Sequence, residues 1–163
     1  MHFELPEPPA PGPGPALPES VTLNSGAITT GLSIGGFASL TMNRNGDFTF
    51  SGHMHNSGAL GIDFLITVVA MTPSGIAITA QHSGHCAGTF TSGSRDDDWA
   101  NSGTDNQIRD NWAEASQSTL TTTTHANDTL TPQIAAALEE ALKQALLAVG
   151  KAAIQALISL VAN

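Results

Sequence analysis

The chain has 163 residues, 40% hydrophobic and 12% charged, with fourteen acidic residues against five Lys+Arg and a net charge of −9. That length suits one ordinary domain with a real core, and a polarity drawn from Ser, Thr, Asn and Gly suits a hairpin-rich β protein. With so few cations the chain has no basic patch to neutralise phosphates, which excludes nucleic acid as a partner and disfavours anionic membrane surfaces.

Residues 1–20 read as a Pro-rich N-terminal arm. The stretch PEPPAPGPGPALP favours polyproline II and cannot enter a sheet interior. The first twenty residues have neither a basic n-region nor an apolar h-region, so no classical signal peptide is expected there.

Residues 21–130 read as an antiparallel β domain. Strands are expected near 21–34, followed by a hairpin in FASLTMNRNGDFTFSGHMH turned by Asn45-Gly46. A two-residue type I′ turn places Arg44 opposite Asp47. Phe37, Phe48, Phe50 and Met54 then share the core face, and Leu40, Met42, His53 and His55 share the other; a bulged turn would undo this partition.

A second hairpin follows, with arms IDFLITVVAM and IAITAQH around Thr72-Pro73-Ser74-Gly75. Its first arm is apolar almost throughout and reads as a central strand buried on both faces. CAGTFTS (86–92) reads as the next strand, and its Cys86, the only cysteine, as a buried inert thiol. Residues 94–115 read as irregular, with a short helix around 105–115. QSTLTTTTH (117–125) reads as a last, Thr-rich strand. The fold class is mainly β (α+β): a meander closing as a small barrel or sandwich, with one long apolar C-terminal helix.

That helix is expected over 131–163, with Thr131 as N-cap and Pro132 in the first turn. At about 100° per residue, Leu138, Leu142, Leu146, Val149, Ala153, Leu157 and Leu160 form one broad apolar stripe. Leu147, Ile154, Ile158 and Val161 fall away from it, leaving a narrow polar seam of Glu140, Gln144, Lys151 and Gln155. A helix so apolar needs burial on two sides, so one side is expected on the β domain and these four residues against a partner.

No cofactor is called for by any motif. Zinc or another transition metal is the one candidate, because His53-x-His55 puts two imidazoles on one strand face and His82 and His85 bracket a turn next to Cys86. A meander brings these residues and His125 to one end of the sheet. Histidines bonded to backbone or water are the plainer reading, and a pH-sensitive cluster is a third. Asp96, Asp97, Asp98 and Asp105 read as a solvated acidic loop more readily than as a calcium site, since the EF-hand order is absent. Trp99 and Trp112 read as covers for the core. No G-x-S-x-G elbow, phosphate loop or H-E-x-x-H occurs.

The sequence therefore points away from an enzyme and towards a non-enzymatic, self-associating structural or interaction protein, a homo-oligomer assembled through its C-terminal helix. A membrane-active or lipid-binding protein whose helix inserts on contact is the alternative, and a metal-dependent enzyme using the histidine end a weaker one.

Overall fold

A computed structural model describes residues 9–127. Eight strands and two short helices follow in order: β1 Ser20–Asn24, β2 Ile28–Thr29, β3 Ile34–Asn43, β4 Asp47–Asn56, β5 Ile62–Met71, β6 Ala77–Cys86, β7 Asp96–Thr104, α1 Asn106–Asp110, α2 Trp112–Ala115 and β8 Thr119–Asn127. They form two antiparallel sheets. Sheet A has the order β1-β3-β4-β7, with β2 beside β3, and sheet B the order β6-β5-β8.

Of the two expected closures the structure shows the sandwich: the two sheets face each other, and the strands do not close into a barrel. They do not form a meander either: β7 returns to pair with β4 and β8 with β5. The described helices are only five and four residues long. None is long and apolar enough to cross a membrane. The long helix expected over 131–163, with Leu147, Ile154, Ile158 and Val161, lies outside the described residues.

The first hairpin corrects a face assignment. Met42 lies opposite Phe48, so the loop has three residues beyond the Asn43–Asp47 ends, and Gly46 adopts φ +99. Gly46 N–H bonds Asn43 O at 2.9 Å. A residue in the left-handed region lets the loop take one more position than a type I′ turn, and a shift of one position exchanges the two faces. Ala38, Leu40 and Met42 therefore join Phe50 and Met54 in the core, whereas Phe37 is 54% exposed.

β5 behaves as its sequence predicts: it is the middle strand of sheet B, and every residue from Phe64 to Ala70 is buried. Its Phe64, Ile66 and Val68 pack with Leu40, Met42, Phe50, Met54 and Ile78 between the sheets. Each such side chain contributes roughly 1.5–3 kcal/mol of burial. The link from β7 to β8 caps the sandwich. Asp105 accepts from Gln107 N–H at 2.8 Å to start α1, and Ile108, Trp112 and Ala115 turn inward. Trp112 Nε1 donates to Pro18 O at 2.7 Å, which pins the end of the Pro-rich arm where β1 begins.

Two loop assignments also change. Residues 87–95 form a connection rather than a strand, and the acidic run 96–98 opens β7. Three consecutive carboxylates are tolerated in a strand here because each finds an imidazole on a neighbouring strand.

Candidate functional site

The period-two alternation of a strand distributes the acidic run over two faces. Asp96 and Asp98 point outward beside His55 and His53 of β4, their register partners, and Asp97 points between the sheets. His53 Nδ1 donates to Asp98 Oδ1 at 2.7 Å and His55 Nδ1 to Asp96 Oδ1 at 2.7 Å. His82, on β6, places Nε2 3.4 Å from Asp97 and stacks its ring on Trp99. His85 Nδ1 donates to Asp63 Oδ1 across β5 and β6. His125 stands opposite Leu65 on β8.

The strand directions do bring this chemistry to one end of the sandwich, but the sheets separate it. His53 and His55 lie on the outer face of sheet A, His82 lies between the sheets, and His85 lies on the outer face of sheet B. Among the described residues, no group of three or more His, Cys, Asp or Glu side chains converges to hold a metal ion. Cys86 is fully buried, 3.5 Å from Met54 O, and burial together with the charges of Asp97 and Asp96 pushes its thiol up to about 11. It is therefore protonated at neutral pH, unsuited to ligation or nucleophilic attack.

A shallow groove of about 390 Å³ lies on the outer face of sheet A, lined by Phe37, Ser51, Gly52, His53, Asp98, Trp99 and Ala100. The exposed Phe37 ring stacks on His53, with centroids 5.7 Å apart. Ser51, His53 and Asp98 have the composition of a nucleophile relay but not its geometry. His53 Nε2 faces Asp96 at 3.6 Å, and no hydrogen bond joins it to Ser51 among the described residues. An imidazole held between two carboxylates and not bonded to the hydroxyl lacks the nucleophile–base contact such a relay needs.

No protein-family model, curated protein or solved structure matches the chain.

Beyond the histidines, the same end of the sandwich carries an apolar surface that sequence reading missed. Loops 30–33, 57–61 and 87–95 are tied together: Ser57 N–H bonds Ser33 O, Thr89 N–H bonds Gly58 O and Phe90 N–H bonds Ala59 O. Each loop presents one large apolar side chain, Leu32 at 48%, Leu60 at 61% and Phe90 at 83% exposure. β8 ends at the same end, with Asn127 opposite Asp63. The Asp-His pairing did leave a signal in the sequence: the period-two spacing of His53-x-His55 matches that of Asp96-x-Asp98.

Proposed function

We propose that the chain is a non-enzymatic interaction domain that associates with copies of itself. The observation that supports this best is the exposure of Leu32, Leu60 and Phe90 on three hydrogen-bonded loops at one end. Large apolar side chains grouped on loops forfeit burial unless a partner covers them, and loops on a rigid sandwich are the usual place for binding residues. Leu147, Ile154, Ile158 and Val161, the interface residues expected from the sequence, lie outside the described residues. The clamped geometry of His53 also favours a binding role over a catalytic one.

Light scattering of the full chain across the micromolar range tests this. Association that rises with concentration is expected, and it should weaken when Leu60 and Phe90 are both replaced by Ser or when Ile154 and Ile158 are both replaced by Asp. A folded chain that stays monomeric throughout overturns the reading. A second reading, attachment to a lipid surface, rests on Phe90 and Leu60 standing on loops exposed to solvent. Flotation with vesicles of neutral lipid separates the two.

A further inference from the structure

The two sheets differ on their outward faces. In sheet A the middle strand β4 leaves its outward Thr49, Ser51 and His53 half-buried, and the edge strand β7 leaves Asp96, Asp98, Ala100 and Ser102 exposed. Sheet B has the same plan, a middle strand flanked by two others, with the opposite result. Leu65, Thr67 and Val69 of β5 alternate with the inward Phe64, Ile66 and Val68, so they point away from sheet A. They are 3%, 6% and 1% exposed. Thr123, which stands beside Thr67 on the edge strand β8, is 6% exposed.

Flanking strands alone do not bury such a face, as β4 and β7 show. Leu65 and Val69 do not belong to the core between the sheets. The two helices turn Ile108, Trp112 and Ala115 into that core, and residues 9–20 of the arm are exposed throughout. Loops 57–61 and 87–95 lie at the Asp63 end of β5, whereas the buried run from Leu65 to Val69 extends about 13 Å along the strand. None of the described elements accounts for the cover. The face is suited to dry contact, because Gln81 Nε2 donates to Thr67 Oγ1 at 3.1 Å and satisfies that hydroxyl within the sheet.

We propose that the outward face of sheet B is a docking surface whose occupant is the chain's own segment 131–163. Outside residues 9–127 the chain has two stretches, 1–8 and 128–163. The first holds Glu4, Glu7, Pro6 and Pro8 among its eight residues and adjoins an exposed arm. The second follows directly from β8, one of the strands that build the face, and carries Ala, Leu, Ile or Val at most positions. Apolar side chains on both partners leave water together when the two meet.

Charge selects the same occupant. Glu139 and Glu140 balance Lys143 and Lys151, so residues 131–163 are neutral and the rest of the chain carries the whole −9. A neutral segment meets no net repulsion from an acidic domain, and β5 holds no carboxylate between Leu65 and Val69. The docking lies within one chain, so it stands or falls separately from self-association.

Cysteine variants of the full chain test the docking. The thiol of Thr123→Cys should react with a disulfide-exchange reagent at least about tenfold more slowly in the native chain than in denaturant. Adding Leu142→Ser, Leu146→Ser and Val149→Ser should remove that protection while the buried Cys86 stays unreactive and so reports an intact sandwich. Ser83 is exposed on β6 opposite Leu65, so Ser83→Cys can carry a photoactivated cross-linker without disturbing the fold. Its cross-links should map to residues 131–163 within a single chain. Fast labelling of Thr123→Cys in a chain whose Cys86 is silent overturns the proposal, as does protection unchanged by the three serines. If the serine variant unfolds, shown by reaction of Cys86, the cross-link decides alone. Cross-links to residues 1–8, cross-links only between chains, or none at all overturn the docking and leave self-association standing.

Discussion

The imidazole of His82 lies over the indole of Trp99, with ring centroids 4.4 Å apart and planes within 11° of parallel. The stack crosses from β6 of sheet B to β7 of sheet A and closes that side of the sandwich. Offset-stacked aromatic pairs contribute about 0.5–1.5 kcal/mol beyond the area they bury. His82→Ala should therefore cost about 1–3 kcal/mol in urea unfolding, combining the lost stack with lost packing. His82→Phe should recover most of it, because the ring face is kept and only the polar contacts to Asp97 and Asn101 go. Equal losses for both variants would assign the closure to the carboxylate instead.

Gly52 is the other half of the Trp99 seat. A Cβ on residue 52 would come 2.2 Å from Trp99 Cζ2 and 2.4 Å from Cη2, with Phe37 O at 2.6 Å on another side. Trp99 is held by Phe50, Phe64 and His82 and has no room to retreat. Gly52→Ala should destabilise the chain by about 1–3 kcal/mol, the usual range for overpacking, or more. The tryptophan emission should shift red in the same variant as the indole is pushed towards solvent.

These two contacts show where the sequence stops being informative. The second hairpin could be read because IDFLITVVAM is apolar at successive positions, rich in β-branched residues and followed by a turn, the pattern of a strand covered on both faces. The Thr run of β8 and the short helices near 105–115 were legible for equally local reasons. The first hairpin was read on the wrong register, since whether Gly46 adds a bulge residue depends on the backbone, and one position exchanges Phe37 for Leu40 in the core. Asp96–Asp98 looked like a solvated loop because a carboxylate run has no local reason to be a strand. Its imidazole partners lie far away in sequence, His53 and His55 on β4 and His82 on β6. Strand direction was enough to bring the histidines to one end, but not to tell which sheet or face each would occupy.

The outward His–Asp pairs should contribute little to stability. Asp98 is 75% exposed at its side chain and His53 31%, so water screens the pair. A double-mutant cycle with His53→Ala and Asp98→Asn should give a coupling below about 1 kcal/mol. Loss of Phe37–His53 stacking adds a separate cost to the His53 variant alone. A coupling well above that limit would show that the outer face is drier than its exposure indicates.

Cys86 gives an alkaline signature. Its thiol is raised in the folded chain from the ordinary 9.0 to about 11, first by burial and then by the charge of Asp97. A raised folded value means the folded state holds the proton more tightly. Stability is then flat below pH 9 with respect to this group and falls between pH 9 and 11, as the unfolded chain ionises first. The loss is on the order of 2–3 kcal/mol. Urea unfolding from pH 8 to 11 should show it in wild type and not in Cys86→Ala. A disulfide-exchange reagent at neutral pH should leave the native thiol unmodified until denaturant is added.

The arm and the cap meet at one bond, Trp112 Nε1 to Pro18 O. The indole itself is 5% exposed and packs with the core, so Trp112→Phe keeps most of the apolar contact and deletes the donor. Removing a neutral hydrogen bond costs about 0.5–1.5 kcal/mol, with more if the carbonyl is left dry. Pro18 is exposed, so its carbonyl can turn to water and the loss should stay near the lower figure. The larger effect should be local. With its anchor gone, the segment between Pro18 and β1 should become accessible to protease at Glu19, and limited digestion with a Glu-specific enzyme should release the arm faster in Trp112→Phe than in wild type. Equal rates would mean that Arg44, which accompanies Glu19 at 3.3 Å and bonds Glu19 O through its backbone N–H at 2.9 Å, holds the junction by itself.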